Sequence, residues 1–453
     1  MSPENKNNVD ISGLNFAYFT TQTFLTSLVV QVLSLLVSII TARLLGPSGK
    51  GVVAVLLLYP TLLLTLGQLG LYRALTIHVG LKKYPFSAYP GTVIVFTILI
   101  SVILSIVFIF LYFNFNSLFI QGVPFYLILI ALGILPALVL TQNFSSILQA
   151  KMKVLEFNLV DIFRFFILLI FISVSLILLR LAVVGAVISY FFANTMGMFL
   201  VIYFVHKISP EKWHFSLSLL KELVADGAKL HIGIIANFMS LRIGVFMLDH
   251  YKQSSNVGFY SIAVSMAELL ILIPMAIQTV FYSRVPQMLG DSAGLREKTM
   301  MIYKHTLFLL LITSLALAIL VRPLIKILFG APFLPSFAPF IVLLPGVFFL
   351  WLNNILVNYL VGMRKFLTTS AIASIGAVLN VILNIILIPT YGTAGAAWSS
   401  TITYFTLGFL SIIVFLKVSG HRLKNFLKDS ICNKKDFTLY SALIKKALSA
   451  FNT

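Results

Sequence analysis

Charged residues and cysteine are scarce in this sequence, and each shortage excludes a class of protein. Only 10% of the 453 residues are charged, whereas 60% are hydrophobic and the mean hydropathy is +1.04. A soluble core does not need that much apolar surface, so a soluble globular protein is excluded. The single cysteine, Cys432, cannot form an internal disulfide, and its position in a polar tail indicates no catalytic or metal role.

Acidic residues are also few, since 13 Asp and Glu stand against 32 Lys and Arg, for a net charge of +19. Such an excess of basic residues can indicate a nucleic-acid partner. Here, however, most Lys and Arg residues fall in the connections on the same side as the N-terminus, which is the distribution of a multi-pass membrane protein. We therefore expect no nucleic-acid partner and place both termini in the cytoplasm.

Motifs for chemistry are missing as well. The sequence has no nucleotide-binding loop, no metal-spaced set of cysteines or histidines, and no nucleophile motif, so we expect no cofactor and no direct use of ATP. The outer connections are short, the longest being roughly residues 321–337. A membrane glycan polymerase or ligase would be expected to carry catalytic side chains on a large outer loop. The sequence therefore argues against an enzyme.

Long apolar runs are what the sequence does contain. They extend for ~20–25 residues, the length of a membrane-spanning helix and about twice that of a barrel strand. We predict an all-α polytopic membrane protein with about twelve transmembrane helices. The predicted spans are 16–41, 52–72, 90–112, 124–148, 158–179, 184–205, 230–250, 261–283, 300–320, 338–360, 370–388 and 396–416.

An internal repeat divides these spans into two halves. Short patterns recur at nearly equal offsets, which predicts two six-helix bundles of parallel orientation. The predicted domains are an N-terminal half (1–205), a cytoplasmic linker with an amphipathic helix (206–229), a C-terminal half (230–416) and a basic cytoplasmic tail (417–453). The recurring pairs are Leu135-Pro136 with Leu344-Pro345, Phe157 with Phe366, Gly185-Ala186 with Gly395-Ala396, and Gly51 with Gly258.

Arg242 lies near the middle of the predicted span Leu230 to His250. An arginine at that depth costs at least ~2.5 kcal/mol on insertion scales, so it is expected to face a partner or a wet cavity. His231 and Asp249 fall on nearly the same helical face as Arg242. This stripe predicts one wall of a translocation cavity.

Other spans carry polar faces or charges too. Glu268 has no charged neighbour in its own helix, so it is expected either to pair with Arg242 or to take part in a proton or cation relay. Asp161 and Arg164 are three residues apart, which indicates an ion pair. Polar residues on one helical face line the first span (Thr20, Thr23, Ser27, Gln31, Ser34, Ser38, Thr41), the second (Thr61, Thr65, Gln68, Tyr72) and the eighth (Ser261, Ser265).

Three motifs together resemble a known family. They are ARLLGPSGKG at 42–51, QAKMKVLEF at 149–157 and LFGAPF at 328–333. With the repeat and the helix count, they are similar to the Wzx-type oligosaccharide flippases of the multidrug/oligosaccharidyl-lipid/polysaccharide exporter superfamily. The resemblance implies a V-shaped pair of bundles with a central cavity and alternating access. It also implies a bacterial cytoplasmic membrane protein that moves an oligosaccharide on undecaprenyl pyrophosphate to the outer leaflet for surface polysaccharide assembly.

The implied substrate assigns roles to the polar residues. Arg242 is the expected partner of the pyrophosphate, with Arg73 and Arg284 as recruiting charges at the cytoplasmic mouth. Membrane lipids and other polysaccharide assembly proteins are the expected further partners. The alternative is a cation-coupled drug or metabolite exporter of the same superfamily, which the absence of an acid in the first span disfavours. The further substrate-binding candidates are Gln31, Ser34, Ser38, Gln68 and His231, and the ion-coupling candidates are Glu268, Asp249 and Asp161.

Overall fold

The structure is a computed structural model that describes residues 4–115, 119–120, 122–275, 292–431 and 436. Within these residues every regular element is a helix or a helical turn. The first half contains α1 (Glu4–Gly67), α2 (Leu71–Leu81), α3 (Ala88–Asn114), α4 (Phe125–Leu132), α5 (Ile134–Ala150), α6 (Val154–Ser173, continued by a π-turn at Val174–Leu178) and α7 (Ala182–Ile208).

The second half follows after a short connection. Two 3₁₀ turns interrupt it, at Leu269–Ile271 and Ala331–Ser336. Its helices are α8 (Leu217–Tyr251), α9 (Ser254–Glu268), α10 (Ser292–Leu328), α11 (Phe337–Gly362), α12 (Phe366–Tyr391), α13 (Thr393–Ser419) and the short α14 (Leu423–Asp429).

The number of membrane crossings agrees with the prediction. Eleven helical stretches of the described chain are long and apolar enough to cross a membrane. The first of them, Thr21–Gly67, has 47 residues. At 1.5 Å per residue it extends ~70 Å, about twice the thickness of the hydrocarbon core, and therefore crosses twice. The all-α, V-shaped fold of two bundles is confirmed.

Two connections differ from the sequence-based expectation. The predicted loop between the first two spans is instead two helical segments that meet at Gly46, whose φ of +67° suits glycine, with Pro47 opening the second segment. The linker helix and the seventh span, predicted as separate, form the single helix α8. No proline lies near the predicted boundary at 229/230, and a helix ends only where its backbone is broken or capped.

The two halves meet at a close crossing of α1 and α9. A Cβ on Gly51 would lie 1.8 Å from the carbonyl oxygen of Ser254, and one on Gly258 would lie 2.0 Å from that of Pro47. Gly51 and Gly258 are also equivalent positions of the internal repeat. Residues related by a two-fold axis contact each other's surroundings in this reciprocal way only next to the axis. The pseudo-two-fold axis of the molecule therefore passes through this crossing.

For orientation we name the two ends of the bundle. The linker end contains α2 and the connection 209–216, and the kink end contains Gly46. At the kink end a second contact joins the halves: Arg43 Nε donates to the carbonyl oxygen of Leu328 at 2.8 Å, and its Nη2 donates to that of Ile327. The arginine thereby satisfies two carbonyls that the C-terminus of α10 leaves without helical partners.

Candidate functional site

Arg242 of α8 and Glu268 of α9 form an ion pair between two spanning helices. Arg242 Nη2 lies 3.3 Å from Glu268 Oε1. Their side chains are 39% and 41% exposed, so the pair is not enclosed by packed side chains. A guanidinium has five N–H donors, and one carboxylate contact leaves most of them for a further ligand. The pair that the sequence suggested is present, with its donors accessible.

Arg242 lies on the side of α8 that faces the first half. Phe246, one turn further along the helix, stacks on Tyr59 of α1 with ring centroids 6.0 Å apart and an interplanar angle of 30°. Asp249, a further turn on, is close enough to Tyr59 to interact with it electrostatically. Residues spaced by four and three share one helical face. The stripe predicted from the sequence thus faces the seam between the two bundles.

Two buried polar residues of the second half, Tyr260 and Ser400, form a polar layer next to α8. The Tyr260 hydroxyl and Ser400 Oγ are 3.1 Å apart, and both residues are buried. Tyr260 also lies within electrostatic range of Arg242 and Glu268. Hydrogen bonds between neighbouring spans restrict how helices slide past one another. This layer therefore holds the ion pair at a defined depth.

The polar stripe of the first span ends at a lysine. Lys50 Nζ donates to Thr41 Oγ1 at 2.9 Å and to Ser38 Oγ at 3.2 Å. The predicted spans 16–41 and 52–72 leave Lys50 in a connecting loop, whereas the structure places it in the second helical segment of α1. The signal that would have identified it is Pro47, which opens a helix and so places Lys50 one turn inside it. Lys50 adds a cation to the polar stripe of the first half.

Four further stripe residues, Thr23, Ser27, Gln31 and Ser34, are half-buried. Toward the linker end, Asn158 Nδ2 donates to Thr23 Oγ1 at 3.3 Å, and Asn158 itself is buried. The stripe therefore contacts polar groups of α6 at one end and Lys50 at the other.

Three predicted substrate-binding residues lie at the linker end, in different surroundings. Gln68 is only 3% exposed and its Nε2 lies 3.5 Å from Asn143 Oδ1, so it is inaccessible to a solute in this conformation. His231 is buried with Nε2 3.0 Å from the carbonyl oxygen of Leu66. Arg73 is exposed and donates to the hydroxyl of Tyr72. Arg284 lies outside the described residues.

Asp161 and Arg164 form the pair that their spacing indicated, at 3.1 Å. Arg164 Nη1 also lies 3.5 Å from Asn194 Oδ1. The pair lines a cavity of about 310 Å³ between α5 and α6, and Arg164 separates this space from a second cavity of about 170 Å³ further into the bundle. Sequence reasoning identified the pair but not the cavity.

A cluster of charges fastens the linker to the first half. His78 of α2 is buried, with Nε2 2.9 Å from Asp226 Oδ2 and Nδ1 3.9 Å from Glu222 Oε2. Lys83 Nζ donates to Glu222 Oε1 at 2.7 Å, and Lys229 Nζ donates to Asp226 Oδ1 at 2.7 Å. We call these five residues the linker cluster.

Hydrogen bonds set the protonation of the linker cluster. Donation by Lys83, and secondly by the hydroxyl of Tyr84, lowers the pKa of Glu222. Donation by Lys229, and secondly by His78, lowers the pKa of Asp226. The bond to Glu222 raises the pKa of Lys83, which agrees in direction with the shift of its partner. Both carboxyls are therefore ionised at neutral pH.

Known proteins are similar to this chain in sequence or in fold. An uncharacterized membrane protein of Methanocaldococcus jannaschii, MJ1068, is 26% identical over 223 residues, which cover 48% of this chain and 44% of that protein. Among solved structures, the lipid II flippase MurJ in an inward closed conformation is similar over 91% of this chain and 90% of its own, with a TM-score of 0.76 and 18% identity.

A second solved structure has the same arrangement of helices. An inward-facing multidrug resistance MATE family transporter of the MOP superfamily is similar over 86% of this chain and 94% of its own, with a TM-score of 0.66 and 16% identity. At these identities the two structures show a shared fold. The family is decided by sequence, because the family model described as polysaccharide biosynthesis protein matches residues 40–338, well over half of the chain. The chain belongs to the polysaccharide biosynthesis protein family.

Proposed function

We propose that this protein is a flippase for an oligosaccharide linked through pyrophosphate to an undecaprenyl carrier. The observation that carries the proposal is Arg242, a cation inside a spanning helix that faces the seam and keeps free donors beside Glu268. Membership of the polysaccharide biosynthesis family and the fold shared with a lipid II flippase support it.

The physical problem in flipping such a lipid is its headgroup. A pyrophosphate that leaves water for the membrane interior loses hydration that the protein must replace. A guanidinium binds phosphate oxygens with two parallel N–H···O bonds, and in a medium of low dielectric such charge-assisted bonds are strong. Arg242 is paired in the resting state, so its own burial cost of ~2.5–3.5 kcal/mol on insertion scales is already offset by Glu268. The headgroup then exchanges with the carboxylate as the partner of Arg242.

The sugars and the polyprenyl tail of the substrate lie apart from the pyrophosphate. Hydroxyl and amide groups on the stripe of the first span, among them Gln31, Ser34 and Ser38, are suited to sugar hydroxyls because each can donate and accept. The polyprenyl tail remains in lipid alongside the seam. Lys50, near the kink end of the stripe, gives the pyrophosphate a second cation after it passes Arg242.

We further propose that the linker end faces the cytoplasm of a bacterial cell and that the protein lies in the cytoplasmic membrane. The distribution of Lys and Arg along the chain supports this orientation. Exposed Arg73 then lies where the lipid-linked glycan is made, and it recruits the anionic headgroup to the mouth of the seam. Bending of the halves about the crossing of α1 and α9 would open the seam at the linker end, and separation of that crossing would open it at the kink end.

Replacement of the seam arginine tests the proposal. In Arg242→Ala we expect surface polysaccharide to be lost while the protein inserts at the wild-type level, because the headgroup then has no cation at mid-membrane. In Arg180→Ala, which removes an exposed cation from a connection, surface polysaccharide should remain at the wild-type level. Surface polysaccharide is measured on whole cells, and lipid-linked glycan in membrane extracts. Full surface polysaccharide in Arg242→Ala would refute the assignment.

The second candidate function is a cation-coupled exporter. The half-exposed carboxylate of Glu268 inside the membrane favours it, because such a group can bind and release a cation. Glu268→Gln separates the two functions. An exporter requires the charge and loses dye efflux, whereas a flippase that uses Arg242 retains surface polysaccharide because the arginine remains available to the headgroup.

A further inference from the structure

We propose that the cavity between α5 and α6 binds one neutral sugar ring of the lipid-linked glycan. This inference rests on the proposed function and identifies the part of the protein that recognises the glycan. The cavity is separate from the seam residues discussed above, and it opens near Gln149 and Tyr72 at the linker end.

The cavity is built from one face of each helix. Gln142, Ser145 and Gln149 follow each other on α5 at spacings of three and four residues. Phe157, Asp161 and Arg164 do the same on α6, at spacings of four and three. Such spacings place side chains on a single helical face. The two faces therefore point at each other across the cavity.

The polar side chains of the cavity are suited to hydrogen bonds with the hydroxyl groups of a sugar. Among the described residues, the side chains of Gln142, Ser145 and Gln149 make no hydrogen bond within the protein, and Gln142 and Ser145 are half-buried. An amide side chain offers two donors and an acceptor, and a hydroxyl offers both roles. Sugar hydroxyls donate and accept at the same oxygen. The rings of Tyr72 and Phe157 add the apolar surface that the C–H face of a sugar can cover.

The charge of the cavity excludes the pyrophosphate. Among the described residues that line the cavity, the one cation is Arg164, which is already bonded to Asp161, so the pair is neutral overall. An anion entering the cavity would meet the Asp161 carboxylate, whose repulsion opposes the attraction of Arg164. A neutral polyol meets no such repulsion and can bond to the edges of both groups. The cavity thus complements Arg242, which is suited to the anionic part of the same substrate.

The size of the cavity limits how much of the glycan it holds. Its volume of about 310 Å³ lies at the lower end of the range for ligand pockets, about 300–1,000 Å³. One ring fits and the rest of the glycan must lie outside. The cavity also accounts for the motif QAKMKVLEF, whose first and last residues, Gln149 and Phe157, both line it.

Protection of an introduced cysteine tests the proposal on the full chain. Ser145→Cys is made in a background where Cys432 is serine, and the protein is placed in nanodiscs. The probe is the polyprenyl pyrophosphate glycan fraction extracted from cells that lack this protein. The reference is the lipid phase of the same fraction after mild acid has cut the glycan from its pyrophosphate and the released glycan has been washed away. We expect the intact fraction to slow N-ethylmaleimide labelling of Ser145→Cys roughly tenfold at about ten times its Kd, and the acid-treated fraction to leave the rate unchanged.

Two further cysteine variants distinguish binding at the sugar site from binding at the seam. Asn354→Cys, 209 residues on in α11 and half-buried, is the matched position of the second half and should label equally with both fractions. Ser265→Cys, one turn before Glu268, reports occupation of the seam. Protection at Ser265→Cys without protection at Ser145→Cys would overturn the sugar site and leave the flippase proposal intact. Protection at neither position would refute both, and equal protection of Ser145→Cys by the two fractions would show that the glycan is not recognised.

Discussion

At the scale of single residues, a polar side chain inside a membrane must find a partner within the protein. Asn380 of α12 shows how this requirement is met: its Nδ2 donates to Thr403 Oγ1 at 3.1 Å, and its side-chain oxygen accepts from Asn384 Nδ2 at 2.8 Å. All three residues are buried. Lipid offers no replacement for these bonds. The first links α12 to α13 more firmly than apolar contact alone, and the second joins successive turns of α12.

Asn380→Ala should therefore destabilise the second half. The substitution removes two side-chain hydrogen bonds and leaves buried groups of Asn384 and Thr403 without them, at a cost of about 1–2 kcal/mol. A lower midpoint of thermal unfolding in detergent is the expected result. Thr406→Ala is the control, because this half-buried threonine on α13 bonds, among the described residues, only to the Ile402 carbonyl of its own helix. Equal midpoints for the two variants would contradict the role of Asn380.

Residue-level reasoning from sequence was effective for isolated charges and ineffective for the amide of Gln68. Pairing with Arg242 was one of two expectations for Glu268, because a charge in a span has few options, and the ion pair is present. Gln68 could not be placed, since an amide on a polar face suits a cavity and a helix contact equally well. Its burial beside Asn143 depends on α5, which is 75 residues away in the chain.

At the scale of elements, the crossing of α1 and α9 is the contact most sensitive to side-chain size. The backbones approach at Gly51 and Gly258 until a single methyl group would overlap a carbonyl oxygen. Packed interiors do not absorb such an overlap, so any larger residue must push the helices apart. The two glycines make the kink end of the seam as narrow as backbone geometry permits.

Gly258→Ala should loosen the kink end. The new Cβ would require the helices to separate by more than about 1 Å, which exposes the seam there. We expect a cysteine at Ser254 to be labelled by N-ethylmaleimide several times faster in this variant. Gly408→Ala serves as the comparison, because a Cβ at Gly408 would meet its nearest atoms at an ordinary 3.8 Å. The same labelling rate in both variants would show that the crossing tolerates a methyl group.

At the scale of the whole molecule, close backbone contact joins the halves at both ends. At the kink end, Arg43 adds to the contact of Gly51 with Gly258. At the linker end, a Cβ on Gly70 would lie 2.3 Å from the carbonyl oxygen of Gly227, and the charges of the linker cluster add to this contact. Those charges make the linker end the end whose contact depends on ionisable groups.

The linker cluster predicts how this end responds to pH. The pKa values of Glu222 and Asp226 are lowered by their partners, so the stabilisation is fully present above the ordinary values of 4.5 and 3.8. It is lost as the pH falls through the lowered values. Spin labels at Thr76→Cys on α2 and Lys221→Cys on α8 should give a narrow distance distribution at pH 5–7, which broadens below about pH 4.

A double variant, Glu222→Gln with Asp226→Asn, isolates the carboxylates. Without their charge the docking of α8 on α2 is weakened at every pH, so the distribution should already be broad at neutral pH and should not change on acidification. Broadening of the unsubstituted cluster with a midpoint above pH 5 would contradict the assignment to Glu222 and Asp226.

The sequence by itself determined that the protein spans a membrane, how many times, in two repeated halves, and which charges inside the spans need partners. These properties are local: hydropathy, helical spacing and charge cost act within one stretch of ~20 residues. Only the tertiary structure decided that α8 is continuous, that Lys50 ends the polar stripe, that Gln149 and Phe157 line one cavity, and that Gly51 meets Gly258. Each of these depends on the register between helices distant in the chain, which is set by side-chain packing and by reciprocal hydrogen bonds that no single stretch contains.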